Sequence, residues 1–467
     1  MKTFLKRLAL CIGGLLLLLV LFHLVENWRG KRAWKQWQQA RIAAGDSFDL
    51  APLIPPELPD AENFARAPRI AESVAADPRG PSPSLPILPT AIFDSTAMGK
   101  WQLGRRTDLE RLQAEPKIGN LRDVLAPWEA ELAALDEAAK RPRCRLMKDY
   151  EDTTTFAPLL GMRARARMLA LRAIVSLQEK KADAALEDVL TGLRVAAHLQ
   201  KEPQLISQLL RIAWVNILLQ PIWEGLQDHR WNANQLTRLQ ESLGTIDLVA
   251  SYRLGWQFER LGMIRNFEKM ADASLVTRLN MFEDESTKSN RLGLLLRSLC
   301  APKGWLYQNL LNQDRNSSAQ FTDVLDPAEH RIGARASQAA VAKFATTRGT
   351  PYTFISRIIG PALAGQNLRM ARTQSGLDMA VIACALERHR LEQGRYPETL
   401  AALVPAYLPK VPVDVLEGLP LRYTPRGREG YGLYSLGWNL TDEGGQLAPR
   451  GGDLNGNQEQ GDWIWSR

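Results

Sequence analysis

The residues of this 467-residue chain best suited to chemistry lie close to its end. Asp453, Asn455 and Asn457 alternate along a glycine-rich stretch, Glu459 and Asp462 follow, and Asn439 and Asp442 stand just upstream. These are hard oxygen donors, and a hard cation such as calcium takes roughly six to eight of them from a flexible loop. Gly451, Gly452 and Gly456 allow tight wrapping. The stretch is not an EF-hand, because glycine falls at the fourth loop position instead of the sixth and no glutamate stands at the twelfth. An Asx-rich surface turn would use the same residues, so the spacing leaves both readings open.

No catalytic signature accompanies them. The chain has no GxSxG, HExxH, Walker loop or Rossmann glycine pattern. His198, His229, His330 and His389 are scattered, and for His198 and His389, on expected helices, capping or surface roles suffice. Glu187 and Asp188 are adjacent and cannot face each other on a helix. The paired carboxylates of a glycosidase can still assemble from distant positions. The sequence therefore favours a non-catalytic binding or scaffolding role, with an envelope hydrolase or glycan binder, using a cleft in the helical body, as the alternative. Surface-exposed Trp101, Trp128 or Trp231 lining a groove with two carboxylates would favour that alternative, and their burial, together with an exposed apolar patch, would favour the first reading.

The oxygen-rich loop needs elements to hold it. Leu377 to Leu386 is apolar almost all round, which predicts a buried helix that turns polar at Arg388 and stops at Gly394. Pro397 suits the first position of a short helix with Leu400, Leu403 and Val404 facing inward and Pro405 closing it. Leu421 to Thr424 and Tyr431 to Ser435 read as two strands, and Trp463-Ile464-Trp465 as a third.

On these residues a resemblance can be stated. Gly394-Arg395-Tyr396-Pro397, Tyr407-Leu408-Pro409-Lys410-Val411-Pro412-Val413-Asp414, Pro420-Leu421-Arg422-Tyr423, Leu433-Tyr434-Ser435-Leu436-Gly437 and Gly444-Gly445 together resemble the globular half of type II secretion major pseudopilins. The likeness covers about a fifth of the chain. It implies a small α+β module and calcium in the loop after the last main strand, here Asp453, Asn455, Asn457 and Asp462. Nearly the whole chain resembles a family of uncharacterised membrane-anchored bacterial proteins. The shared runs are Tyr434-Ser435-Leu436-Gly437-Trp438-Asn439, Gly461-Asp462-Trp463-Ile464-Trp465 and Pro302-Lys303-Gly304-Trp305-Leu306-Tyr307-Gln308-Asn309. Assembly into a pseudopilus is not expected. No prepilin-peptidase leader is visible, and about 350 residues separate the apolar segment from Leu377.

That segment sits at the other end. Leu8 to Val25 is apolar apart from His23 and rises roughly 27 Å as a helix, close to a hydrocarbon core of about 30 Å. Glu26-Asn27-Trp28-Arg29-Gly30-Lys31-Arg32 follows and offers no cleavage site, so an uncleaved single-pass anchor is expected over a signal peptide. Basic residues flank both sides, and the positive-inside count does not decide orientation. The short head favours a cytoplasmic N-terminus, with the body on the periplasmic or extracytoplasmic side of a bacterial inner membrane. Trp28, Trp34 and Trp37 are expected to form an interfacial belt.

Composition removes nucleic acid as a partner. Net charge is +8, but residues 1–40 hold seven Lys or Arg against one acid, so the basicity belongs mostly to the membrane flanks. The four cysteines show no paired spacing, and buried free thiols are the default. Prolines between Pro52 and Pro89 are too dense for helix or central strand and predict an extended tether, docked at first through Leu50, Leu53, Ile54, Leu58 and Phe64.

The middle is helical. Met168, Leu171, Ile174, Val175 and Leu177 form one stripe with Arg163, Arg165, Arg167 and Arg172 largely elsewhere; Leu186, Val189, Leu190, Leu193 and Ala197 form a second. Leu205 to Trp223 forms a third helix, Asn234 can cap a fourth that Gly244 ends, and Leu248 to Phe267 forms a fifth, interrupted by Glu259 and Arg260. Stacked hairpins like tetratricopeptide repeats and an irregular all-α body are equally compatible. The expected fold is mainly α: a head and transmembrane helix over 1–27, a juxtamembrane segment and Pro-rich tether over 28–100, a helical-hairpin body over 101–370, and a small C-terminal pseudopilin-like α+β module over 371–467.

Overall fold

In the computed structural model, helix α1 runs unbroken from Lys2 to Ala43, and its character changes at Glu26. Up to Val25 its large apolar side chains stand exposed; beyond, Glu26, Gly30 and Trp34 are buried at four-residue spacing on one face. The structure describes residues 2–75, 85–86, 100–110, 120–152, 159–273, 301–363, 365–427, 430–446 and 460–465. Most of the later tether lies outside these residues.

After α1 come short 3-10 turns and α2 (Ile70–Ala75), α3 (Leu121–Leu125), α4 (Glu129–Ala138), α5 (Leu160–Gln178), α6 (Ala182–His198) and α7 (Leu205–Gln227). They are followed by α8 (Ala233–Gly244), α9 (Leu248–Asp272), α10 (Lys303–Ser317), hairpin β1 (Leu325–Asp326) and β2 (Arg331–Ile332), α11 (Ala334–Ala345), α12 (Phe354–Leu363) and α13 (Gln366–Gln393). Strands β3 (Arg422–Pro425), β4 (Tyr431–Ser435) and β5 (Trp463–Ile464) complete the order. The protein is mainly helical and forms two compact units: Met1–Pro52, Gln257–Asp323 and Ala336–Ala364 in the first; Leu53–Trp256, Val324–Arg335 and Gly365–Arg467 in the second.

In unit one, α10 packs along the second half of α1. Neither Gly30 nor Gly304 could carry a Cβ there: at Gly30 it would overlap the Gly304 carbonyl, and at Gly304 the Glu26 carbonyl. Pro302 stands at the N-cap position of α10, the Gly304 amide donates to Asn27 Oδ1 at 2.8 Å and the Trp305 indole to Glu26 Oε2 at 3.1 Å. The motif opening at Pro302 is thus a helix start shaped to fit α1. The expected tryptophan belt is corrected by the same contacts. Trp34 is 1% exposed and donates to Glu268 at 2.8 Å, and Trp37 donates to Asp314 at 2.6 Å. Protein carboxylates more than 200 residues away satisfy these indoles, and of the three only Trp28 stands exposed. Arg260 does not interrupt a stripe either: it is buried, with Nε 2.6 Å from Asp314.

Unit two is built around α7, which packs on α5, α6 and α13, while α8 packs on α6 and α13. Although α7 is long and apolar enough to cross a membrane, most of it is buried in protein. The expected stripes on α5 and α6 are buried except Ala197, which is half-buried. Arg165 and Arg167, off that stripe, are buried too, and Arg165 ion-pairs with buried Glu131 at 2.5 Å. The cap of α8 is Asn232, not Asn234, in a capping box with Gln235. Of the tether, Phe64 and Ile70 are buried in short helical turns, so that part is docked.

Helix α13 is buried over Leu377–Glu387 but for a half-buried Val381, and ends at Gly394 with φ 71°. The short helix that follows is a 3-10 turn over Leu400–Leu403, capped at Thr399. Pro397 lies ahead of it, and one short turn buries Leu403 while leaving Val404 exposed. Strands β3, β4 and β5 form an antiparallel sheet in that order, with Tyr423 opposite Leu433 and Ser435 opposite Trp463.

Because a Cβ at Gly304 would meet backbone, not a flexible side chain, Gly304→Ala should destabilise unit one by about 1–3 kcal/mol. Gly13→Ala, which has nothing within 4 Å, should be neutral. Urea unfolding of the full chain in detergent checks both.

Candidate functional site

The β1–β2 hairpin carries His330 at its tip. Its place is fixed by backbone bonds: Ile332 N donates to Val415 O at 2.8 Å, Glu417 N to Ile332 O at 3.2 Å, and Arg253 Nη1 to Leu325 O at 2.9 Å. His330 adopts a left-handed conformation with φ 51°, which histidine tolerates better than most residues. The turn aims its imidazole between two carboxylates. Nδ1 lies 3.4 Å from Asp247 Oδ2 and Nε2 lies 3.6 Å from Asp378 Oδ2.

Each carboxylate is held independently. Asp247 precedes α9 and accepts from Ala250 N at 3.0 Å, as a helix cap does. Its carbonyl accepts from buried Arg211 at 2.9 Å. Asp378 sits on the buried face of α13, where Gln374 donates to its Oδ1 at 2.9 Å. The same Gln374 accepts from Leu248 N at 2.9 Å, tying α13 to the start of α9.

Burial works against the charge on His330, but the two aspartates overcome it and raise the imidazolium to about 10. Burial raises Asp378, with His330 opposing. For Asp247 burial also favours the neutral acid, yet His330 and backbone amides outweigh it and the carboxyl is lowered. Asp414 is buried nearby and is pushed up to about 7, mainly by burial and with a further contribution from Asp378.

Beside His330 opens a cavity of about 780 Å³, within the size range of small-molecule sites. Glu241, Asp247 and Lys410 give it polar edges, and Leu377, Val381 and Val413 give it apolar walls. Two acids hold the proton on the His330 imidazole more firmly than on a free one, which disfavours a general-base role. The arrangement suits binding of a ligand or side chain with both apolar and polar parts.

The residues singled out from the sequence fall elsewhere. Asp453, Asn455 and Asn457 lie outside the described residues. Asp462 is buried, accepting from Gly445 N at 2.7 Å and Gln446 N at 3.2 Å. Burial and then Glu443 push it up to about 6. Trp101, Trp128 and Trp231 are all buried. His198 contacts Ala139 O at 3.0 Å, His389 contacts Arg395 O at 2.9 Å, and His229 pairs with Glu387. Cys144 and Cys384 are free and buried. The His330 cluster was missed because its partners are far apart in the chain; only the αL-tolerant residue in a Pro-Ala-Glu-His turn hinted at it. No family model matches the chain, and no curated protein and no solved structure is similar to it.

A group raised on folding stabilises fully below its unfolded value and loses that contribution as pH climbs through the folded one. His330→Gln should therefore cost about 1–3 kcal/mol at pH 6, allowing for partial exposure, with the deficit vanishing towards pH 10. For Asp414 the raised acid makes the parent lose stability as pH rises from about 4 to about 7. Asp414→Asn should match the parent at pH 4 and exceed it by about 1–3 kcal/mol at pH 8. Chemical denaturation across that range reads both.

Proposed function

We propose that this chain is a single-pass, membrane-anchored bacterial envelope protein with a non-catalytic binding or scaffolding role. Its body lies on the extracytoplasmic side, and a protein partner or small ligand engages the cavity beside His330. One observation carries the reading: α1 is exposed and apolar up to Val25 and becomes part of unit one's core from Glu26 onward. The two parts form one unbroken helix, and Phe22 inside the run packs edge-on against Trp305 of α10 at 6.3 Å between ring centroids, which supports retention of the segment.

The fixed imidazolium supports binding over acid–base chemistry. The alternative, a hydrolase or glycan binder with an aromatic groove, loses its motivating feature because Trp101, Trp128 and Trp231 are buried. The likeness of the C-terminal module to a pseudopilin head is part of the proposal, supported by a long buried helix followed by a small antiparallel sheet. So is calcium, supported by the spacing of oxygen donors along the sequence.

Two measurements test this. Val413 lines the cavity and is exposed, so Val413→Trp should fill it without unfolding the protein. Pull-down from detergent-solubilised membranes should retain a partner on the parent and lose it at least tenfold on the variant; equal retention contradicts the cavity assignment. Calcium chloride at a hundredfold its dissociation constant should stabilise the full chain by about 2.7 kcal/mol over chelator. An unchanged unfolding curve removes calcium from the proposal.

A further inference from the structure

We propose that the apolar face of α12 formed by Phe354 and Ile358 is seated in the headgroup–acyl boundary of the bilayer that α1 enters. Unit one would then touch lipid at two places. The inference rests on the anchor reading above and adds a second contact to it.

Phe354 and Ile358 are 61% and 63% exposed. Four residues apart on a helix, they share one face. Among the described residues of unit one outside α1, Val341 is the only other large apolar side chain so exposed. Transfer of such side chains out of water is favourable, a gain that their exposure forgoes.

What identifies the occupant is where α12 begins. The Tyr352 hydroxyl donates to Glu26 Oε2 at 3.0 Å, and Glu26 directly follows Val25, the last residue of the apolar run. Trp305 donates to the same oxygen and packs edge-on against Phe22, inside the run, at 6.3 Å between ring centroids. It also packs edge-on against Tyr352 at 6.2 Å. Arg29 lies over the Tyr352 ring at 5.2 Å.

Trp305 and Tyr352 therefore mark the plane where the span leaves lipid, the depth that amphipathic aromatic side chains favour. Asn309 fixes the start of α12 to α10: its Nδ2 donates to Pro351 O at 2.6 Å, and its Oδ1 accepts from Ile355 N at 3.1 Å. Phe354 thus follows two residues after a side chain anchored at that plane. Exposed Arg348 and Arg357 accompany the apolar face. An apolar stripe with flanking cations is the composition that seats a helix in an anionic interface.

The test uses the full chain with Cys11→Ser and Cys300→Ser, since Cys144 and Cys384 are buried and do not label in the folded protein. Ile358→Cys or Leu16→Cys is added, labelled with an environment-sensitive fluorophore, and reconstituted in phosphatidylcholine–phosphatidylglycerol vesicles. The expected result is that a shallow spin-labelled lipid quenches the Ile358→Cys probe at least twofold while aqueous iodide leaves it nearly unchanged. The Leu16→Cys probe should be quenched by a deep spin-labelled lipid. If iodide quenches Ile358→Cys while Leu16→Cys is lipid-quenched, the seating of α12 is overturned and the anchor stands. If iodide also quenches Leu16→Cys, the anchor reading itself fails.

Discussion

The close approach of two glycines, Gly30 on α1 and Gly304 on α10, is the contact on which unit one depends. With no Cβ on either side the backbones meet directly, and that proximity brings the Trp305 indole and the Gly304 amide to Glu26 and Asn27. Glu26 needs those donors. A buried carboxylate next to an apolar run is costly unless it is hydrogen-bonded or paired. Trp305, Tyr352 and Arg29, the last at 3.4 Å, supply that. A larger residue at Gly30 or Gly304 would separate the helices and weaken the hydrogen bond from Trp305 to the acid.

The same physical logic recurs in unit two. Asp378, buried on α13, is tolerable because His330 and Gln374 reach it. His330 in turn is kept charged by two acids from different elements. Glu202 accepts from Tyr150 at 2.6 Å and Leu146 N at 2.8 Å, yet burial still pushes it up to about 7. These clusters join segments 50 to 130 residues apart and fix how the helices meet more tightly than apolar packing alone. That constraint on His330 is what motivates the proposal of a binding role for the cavity beside it.

Elements with local signals were legible in the sequence. The stripes on α5, α6 and α7, the stop at Gly394 and the strands of the C-terminal sheet follow from periodicity and turn chemistry alone. Where reading failed, the deciding partner was distant. Arg165, Arg260, Trp34 and Trp37 look like surface or interface residues until Glu131, Asp314 and Glu268 are brought beside them. The shift of a helix cap from Asn234 to Asn232 is a local error of two residues, decided by a capping box that Gln235 completes. The His330 site had no spacing to find, because Asp247, His330 and Asp378 come from a helix start, a hairpin tip and a helix interior. The oxygen-rich loop had the opposite character: conspicuous spacing, with only Asp462 among its residues placed, and that one engaged by backbone amides.

Central to the proposal is that one helix would serve two solvents, lipid before Glu26 and protein after it. Hydrogen–deuterium exchange of the full chain in lipid nanodiscs measures this directly. Slow exchange should run continuously from the start of the apolar run through Ala43, with no fast step at residues 25–30. Rapid exchange at those residues, or water-like exchange across Leu8 to Val25, would contradict the account.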